Sequence, residues 1–250
     1  MSAPSRRLAP HIPSEEPVAD GTVSVDERVY EAVSRALLSG KLRPGTPLRE
    51  RALAEALGCT RGAVRKVFTR LGAEKRLVLE HNRGAFVPNP TVEEMRSIYR
   101  ARRIVEAGLV TSLCCQLNAA QTEVLQRHVQ AEYQAMEEGR RADSIRLAGE
   151  FHLVLAQMAG SDELLSYMQR LVRTTELYKA LFDSVAATAC APREHQEIIN
   201  ALLGGARDEA LAVAMAHLDE LEQRVIHGAV AEREVDLVSL LAGSSSTSGP

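Results

Sequence analysis

Three histidines in the second half of the sequence are the residues best suited to hold a metal ion. His152, His195 and His217 lie in three separate predicted helices, and each has apolar neighbours that turn it toward the protein interior. Facing helices of a bundle build metal sites from such inward side chains. Imidazole ligands favour zinc or nickel over magnesium or calcium. The alternative interpretation is that all three are core residues without a metal.

A second group of chemically active residues is basic and lies at the start of another predicted helix. Thr60, Arg61, Gly62 and Arg65 follow a short turn that contains glycine. In a helix-turn-helix unit, the first residues of the second helix reach base edges in the major groove, where arginine pairs with guanine. Gly62 permits a close approach to DNA, and Thr60 or the helix N-terminus can hold a phosphate. The alternative is a pair of core helices with solvated arginines.

Two short helices and a hairpin must position these arginines. Gly58 is expected to end the first helix, and Thr60 is expected to cap the second. Two alternating segments then surround a polar, basic tip at His81, Asn82 and Arg83. The predicted elements are helices over 49–57 and 61–73 and strands over 77–80 and 85–88. This pattern predicts a helix-turn-helix with a two-stranded wing.

The region from 22 to 88 is basic although the whole chain is acidic. It contains 13 Lys and Arg residues against 7 Asp and Glu residues, which gives +6, whereas the whole chain carries −3. The rest of the chain therefore carries −9. A basic module in an acidic protein is typical of contact with a DNA phosphate backbone through one domain.

Proline-rich breaks divide the chain into segments. The predicted segments are a flexible arm over 1–21, a winged helix-turn-helix domain over 22–88, an all-helical domain over 89–232 and a C-terminal tail over 233–250. The helical domain shows helical periodicity over 92–116, 119–138, 142–159, 161–186, 192–204 and 207–228. The predicted fold class is therefore mainly α, with a winged helix-turn-helix domain followed by an antiparallel helical bundle.

Composition excludes several classes of protein. Hydrophobic residues make up 45% and charged residues 25% of the chain, as in an ordinary globular protein. The sequence lacks an apolar run of the roughly 20 residues that span a bilayer, and its N-terminus lacks a hydrophobic signal, so we expect a cytoplasmic protein. The four cysteines have no metal-binding or redox spacing. An aromatic content of 4% without Trp argues against RNA binding by base stacking.

The order of these motifs resembles the GntR family of bacterial regulators, in the FadR-like branch with an FCD C-terminal domain. The resemblance is carried by LRPGTPL at 42–48, LAEALGCTRGAVRKVFTRL at 53–71, RGAFV at 83–87, EFH at 150–152, REHQEII at 193–199 and AHL at 216–218. It implies that operator DNA is contacted by Arg51, Thr60, Arg61, Gly62 and Arg65, and by His81 and Asn82 at the wing tip. The family commonly has Thr-Pro where this chain has Gly-Ala at 62–63, a difference that affects the operator sequence rather than the fold.

For the helical domain, the resemblance implies a metal bound by the three histidines and by an Asp four residues before the first. That position is Ala148 here, and Glu150 should face away from His152 because two residues turn a helix by about 200°. The resemblance also implies that Arg102 binds the carboxylate of a small effector. One alternative is that Arg102 is a solvated surface residue. Arg173 is a weaker candidate for binding the effector carboxylate.

These features predict a homodimeric DNA-binding transcriptional regulator, with repression favoured, whose operator binding responds to a small organic acid. One alternative is a metal-dependent hydrolase that uses three histidines and a bound water. Because the sequence shows no carboxylate placed beside His152 as a general base, we expect that the protein is not an enzyme. A second alternative is a DNA-binding protein without an effector.

Overall fold

The computed structural model of the chain describes residues 24–183 and 191–243. In chain order its elements are α1 Val25–Leu38, β1 Pro47–Leu48, α2 Glu50–Leu57, α3 Arg61–Ala73, β2 Val78–Glu80, β3 Gly84–Phe86, α4 Val92–Leu113, α5 Ala119–Glu137, α6 Arg141–Met158, α7 Asp162–Phe182, α8 Ala191–Gly204 and α9 Arg207–Gly243. The fold is mainly α, a winged helix-turn-helix followed by a helical bundle, as the sequence predicts. The predicted arm over 1–21, the end of a predicted helix at 184–186 and the tail from 244 lie outside the described residues.

The turn between α2 and α3 forms as the sequence predicts. Gly58 adopts a left-handed conformation with φ of 61° and ends α2. The Thr60 side chain accepts a hydrogen bond of 3.2 Å from the backbone N–H of Ala63 and so caps α3. Val64, Val67 and other apolar residues of α3 pack with α1 in the core of the first domain. The opposite face of α3 therefore carries the arginines.

The sheet of the first domain has three strands rather than the predicted two. β3 lies in the centre and pairs antiparallel with β2 and with β1. Leu48 of β1 stands opposite Ala85, and Thr46 and Val87 extend the pairing through a 2.9 Å backbone hydrogen bond. The prediction missed β1 because its two residues lie within a Pro/Gly turn, and its pairing partner is far away in the sequence. The wing is thereby attached to the chain that enters α2.

The helices α4 to α9 form the second domain. α4 packs against α7 and α9, and α5 packs against α6 and α8. The last helix runs to Gly243, beyond the predicted end at 228. Gly228 lies inside this helix, where an added Cβ would collide with the backbone carbonyl of Phe182. This glycine therefore permits close packing with the end of α7 and does not end the helix. Among the described residues, every helix is too short or too polar to cross a lipid bilayer.

The two domains share an apolar contact. α1 packs against α6 and α7 in addition to α3. Leu177 of α7 belongs to the core of the first domain. Leu38, Ile145 and Ala180 form a smaller buried cluster between α1, α6 and α7. A movement of α7 would therefore displace α1, the helix that packs against α3.

Candidate functional site

The three predicted metal-binding histidines meet in the interior of the second domain. His152 comes from α6, His195 from α8 and His217 from α9, and all three are buried. Their ligand nitrogens all lie within 4.8 Å of one another. The Nε2 atoms of His152 and His217 are 3.3 Å apart. The structure thus brings together three imidazoles from three helices.

Each imidazole has a glutamate at its Nδ1 atom. Glu194 lies 2.5 Å from Nδ1 of His217, and Glu132 lies 2.8 Å from Nδ1 of His195. The Oε2 atom of Glu106 lies 2.7 Å from Nδ1 of His152, although the two are not aligned as a hydrogen bond. The expectation that no carboxylate lies beside His152 is therefore wrong. The sequence could not show it because Glu106 is on α4, a full helix away.

These glutamates decide which nitrogen of each ring is free. A carboxylate oxygen next to Nδ1 requires a proton on that nitrogen, so the lone pair of the ring is left on Nε2. This applies to His195 and His217, whose Nδ1 atoms are hydrogen-bonded to glutamates. Nε2 of His217 lies 3.3 Å from Nε2 of His152, and Nε2 of His195 is buried without a hydrogen-bond partner. Burial lowers the pKa of His152 to about 4 and lowers the pKa of His217 well below its usual value. Both rings are therefore neutral at pH 7.

This donor set fits a divalent metal ion. Nitrogen ligands at about 2.0–2.1 Å from a tetrahedral zinc ion are separated by about 3.3 Å. That separation matches the 3.3 Å between the Nε2 atoms of His152 and His217. Carboxylates that hold the opposite nitrogen are the usual partners of metal-binding histidines. Ala148 lines the same cavity, where it supplies no ligand atom, and Glu150 pairs with Arg146 at 2.7 Å instead of facing the cavity.

Arg102 is buried beside the histidines and is not a solvated residue. Its Nε donates to Glu106 at 2.7 Å and its Nη1 to Thr175 at 2.9 Å. Its Nη2 is buried, has no hydrogen-bond partner, and belongs to a residue that lines the cavity. Burial alone would raise the pKa of Glu106, but Arg102 and His152 hold it well below its usual range. Glu106 is thus a fixed anion that orients both of these side chains.

The cavity is small and contains two further ionisable residues. It leaves about 20 Å3, which is room for about one water-sized sphere or one metal ion. Lys179 and Glu176 of α7 also line it. Burial lowers the pKa of Lys179, and burial raises the pKa of Glu176 to about 7. Arg173 does not line this cavity and instead contacts Tyr30 of the first domain at 3.3 Å.

The predicted DNA-contacting residues lie on the outer face of the first domain. Arg51, Arg61, Arg65 and Asn82 line one groove of about 940 Å3 between α2, α3 and the wing. Thr60 and Gly62 are exposed at the start of α3, and His81 is exposed at the wing tip.

Glu50 at the start of α2 organises the arginines of this groove. Its carboxylate accepts hydrogen bonds of 3.0 and 2.8 Å from Arg65 and lies 3.7 Å from Arg61. The hydrogen bond from Arg65 lowers the pKa of Glu50. Two-point contact fixes the guanidinium plane of Arg65 before any partner arrives. A partner with stronger acceptors, such as guanine or phosphate, must compete with Glu50 for these donors.

Sequence reasoning missed three glutamates, one that orients the arginines of the groove and two that orient histidines of the cavity. Glu50, Glu132 and Glu194 make their contacts with side chains far along the chain, so no local spacing marks them. Glu194 carried one available signal. It directly precedes His195 in the REHQEII motif, and its carboxylate serves His217 of the neighbouring helix.

Comparison with known proteins gives matches to both domains. Residues 25–87 match the family of bacterial regulatory proteins called gntR, and residues 97–220 match the FCD domain. The chain is 23% identical over 205 residues to the HTH-type transcriptional repressor RspR of Escherichia coli (strain K12). This alignment covers 82% of the present chain and 90% of RspR. It is 26% identical over 198 residues to the Nta operon transcriptional regulator of Aminobacter aminovorans, and this alignment covers 78% of the present chain and 93% of that regulator. A crystal structure of a transcriptional regulator, GntR, from Rhodococcus sp. RHA1 shares the fold with a TM-score of 0.68 at 24% identity, and the match covers 81% of this chain and 97% of that one.

Proposed function

Because this chain belongs to the GntR family of bacterial regulators and carries an FCD domain, it is a DNA-binding transcriptional regulator, and we propose that it is a cytoplasmic repressor controlled by a small carboxylate. The name of the relative RspR supports repression as the mode of action. The observation that carries the effector proposal is the buried Nη2 of Arg102, which has no hydrogen-bond partner and belongs to a residue that lines the histidine cavity. An effector carboxylate would supply the missing acceptor.

Operator DNA would be read by the groove of the first domain. Arg61 and Arg65 would contact base edges from the start of α3, and Thr60 and Gly62 would lie against the DNA backbone. Arg51 would add a contact from α2, and His81 and Asn82 would contact DNA from the wing tip. Asn82 suits that tight tip because its φ is 61°, a conformation that Asn adopts more readily than most residues.

His152, His195 and His217 would hold a divalent metal ion, zinc or nickel by ligand type, which would supply positive charge and free coordination positions for an effector carboxylate. Glu132 and Glu194 keep the lone pairs of His195 and His217 on their Nε2 atoms, and Glu106 lies 2.7 Å from Nδ1 of His152. Arg102 would hold a second oxygen of the same carboxylate. The residues that would make these contacts are buried, and the low dielectric of the interior strengthens each contact.

Effector binding would change the position of α7. The cavity leaves only about 20 Å3, so an organic acid enters only if the surrounding helices separate. α7 contributes Thr175, Glu176 and Lys179 to the cavity and Leu177 to the core of the first domain. Displacement of α7 would therefore shift the first domain and change the spacing of the two recognition helices in a dimer.

A hydrolase is not favoured by the geometry. Glu106 is the carboxylate closest to His152, but its pKa lies well below the usual range and its Oε1 already accepts from Arg102. Such an anion is a weak base, so it is poorly suited to take a proton from a bound water.

Selection of operator DNA from a random pool, followed by gel-shift titration with a panel of small mono-, di- and hydroxycarboxylates, tests the proposal. We expect at least one carboxylate to change operator affinity by fivefold or more, within the usual range of about 5–150-fold for allosteric coupling. The Arg102→Gln variant should keep the operator affinity of the parent and lose this response. Arg100→Gln, which changes an exposed arginine on the same helix, is the matched control and should keep the response. Equal responses of Arg102→Gln and the parent would contradict the assigned role.

A further inference from the structure

A second cavity of about 380 Å3 lies between the two domains. Tyr30, Ser34 and Arg35 of α1 form one wall, together with Arg76 from the segment after α3. Residues of α6 and α7, including Arg146 and Arg173, form the other wall. Of the residues that line this interdomain cleft, only Glu176 also lines the histidine cavity. The cleft is therefore a separate space, which the effector proposal does not use.

Within the described residues, three guanidinium groups of this cleft have no ion pair shorter than 4.0 Å. Arg35 has no ion pair, and Arg173 donates to the hydroxyl of Tyr30 at 3.3 Å. Arg76 lies 4.0 Å from Glu74, at the limit of an ion pair. Arg146 differs from them because it pairs with Glu150 at 2.7 Å.

Arg76 supplies the second observation that points to a ligand. Its side chain is only 2% exposed, and its Nε is buried without a hydrogen-bond partner. Its Nη1 donates to Ser34 at 3.0 Å and reaches Tyr30 at 3.5 Å. A buried guanidinium nitrogen with no acceptor is costly, so such groups are expected to meet an anion or an ordered water.

We propose that the interdomain cleft is an anion site that binds a phosphate group, either free or carried by a small metabolite. Planar guanidinium groups recognise phosphate through pairs of parallel hydrogen bonds, and arginines converge here from both domains. The acidic residues of the cleft are Glu31, Asp143, Glu150 and Glu176. Asp143 and Glu150 lie within ion-pair distance of Arg146. Of the residues that line the cleft, this leaves Glu31 and Glu176 to balance the charges of Arg35, Arg76 and Arg173.

A phosphate in this cleft would join the domains. Arg76 belongs to the first domain and Arg173 to the second, so one anion between them would fix the position of α1 against α7. The site would thereby favour one domain arrangement and change operator affinity independently of the histidine cavity.

Calorimetric titration of the full chain with inorganic phosphate tests this site, with chloride at matched ionic strength as the reference and EDTA present to remove metal from the histidine cavity. Arg173→Gln and Arg35→Gln should each weaken phosphate binding about tenfold or more, because each removes a charge-assisted contact. Arg146→Gln is the matched control in the same cleft and should change binding less than about threefold. A phosphorylated sugar forms a second arm. Tighter binding of the sugar phosphate identifies a metabolite as the ligand, and equal or weaker binding identifies the free ion.

Two outcomes would overturn the site. One is a parent protein that binds phosphate no better than chloride. The other is loss of phosphate binding in Arg102→Gln with full binding in Arg173→Gln and Arg35→Gln, which would place the anion in the histidine cavity. Because Arg35 is exposed, its substitution tests the site even if Arg173→Gln disturbs folding. A negative result in this test does not affect the effector proposal, which is tested by the change in operator affinity with carboxylates in the parent and in Arg102→Gln. The two proposals can therefore fail separately.

Discussion

At the scale of single residues, the histidine cavity depends on charges that are fixed before any ligand binds. Glu194 has a pKa of about 2, because the hydrogen bond and charge of His217 and the charge of Arg224 outweigh the effect of burial. It therefore remains an anion that orients the His217 ring. An alanine at 148 supplies no ligand atom one turn before His152, and Glu176 is the carboxylate among the described residues that line the cavity. These contacts leave a three-imidazole site that can accept an external anion.

The first prediction concerns Ala148, which lies one turn before His152 on α6. Ala148→Asp adds an anionic ligand on the same face of the helix and should tighten zinc binding by at least about tenfold, the lower end of the effect of outer-shell changes. His195→Ala should remove the metal that the parent holds. Elemental analysis and thermal-shift titration with zinc measure both effects, with Gln157→Asp on the exposed side of α6 as the matched control. A metal-free parent, together with no zinc-dependent stabilisation of Ala148→Asp, would make the histidines core residues.

The second prediction concerns Glu176, whose pKa is raised to about 7 by burial from an ordinary value of 4.5. The folded protein therefore binds the proton of the Glu176 carboxyl more tightly than the unfolded chain does. The contribution of Glu176 to the free energy of unfolding is fully present below about pH 4.5 and is lost as the pH rises through 7. The loss is about 3 kcal/mol at most. Glu176→Gln removes it and should raise the melting temperature at pH 8 by about 3 °C or more, with little change at pH 5.

Scanning calorimetry at the two pH values measures this difference. Glu197→Gln is the control, because Glu197 is exposed on α8 and pairs with Arg193 at 3.8 Å, so its substitution should not stabilise the protein at pH 8. An equal gain at pH 5 and pH 8 would indicate better packing of the amide and not the titration of Glu176.

At the scale of elements, α3 and the wing have different tasks on DNA. α3 presents Arg61 and Arg65 at its first turns, where a recognition helix reads bases. The wing presents His81 and Arg83, and Arg83 already contacts Glu80 of the same hairpin. We therefore expect base readout from the helix and backbone contact from the wing.

The third prediction separates these tasks by substitution. Arg65→Ala and Arg61→Ala should each reduce specific operator binding by about 1–3 kcal/mol and relax the base preference, with the fold unchanged. His81→Ala and Arg83→Ala should weaken binding to all sequences, and loss of the Arg83 charge should reduce the salt slope by about 1. Gel shifts at several salt concentrations on specific and random DNA measure both. Wing variants that change sequence preference, together with helix variants that do not, would reverse the assignment.

The elements differ in how far the sequence alone predicts them. The bounds of α3 follow from Thr60, Gly58 and the apolar period, because caps and periodicity are local properties. β1 escaped prediction because two residues carry no periodicity and its pairing with β3 is nonlocal. The length of α9 was underestimated because the role of Gly228 depends on Phe182, 46 residues earlier. In the cavity, the inward direction of the histidines was predictable from apolar neighbours, whereas their pairing with glutamates on other helices was not.

At the scale of the whole molecule, α6 and α7 each line both candidate ligand sites and pack against α1 of the first domain. Leu177 of α7 also packs in the core of the first domain. A ligand at either site would therefore act on the same pair of helices. Because one winged domain covers only a half-site, such a movement changes operator affinity most strongly when two copies must match a fixed half-site spacing.

The last prediction is that two copies associate through α4 and α7. Ile104 of α4 is 71% exposed and Tyr167 of α7 is 59% exposed, which makes them the two most exposed large apolar side chains of the described residues, and their helices pack against each other. We therefore expect a contact surface on this helix pair. Sedimentation should give about twice the chain mass of 27.2 kDa. Ile104→Glu places a charge in the contact and should shift the protein toward the single-chain mass, with a loss of palindromic operator binding. Leu203→Glu changes an exposed apolar residue of α8 and should leave the dimer intact, so a dimer that survives Ile104→Glu but dissociates with Leu203→Glu would move the interface to α8.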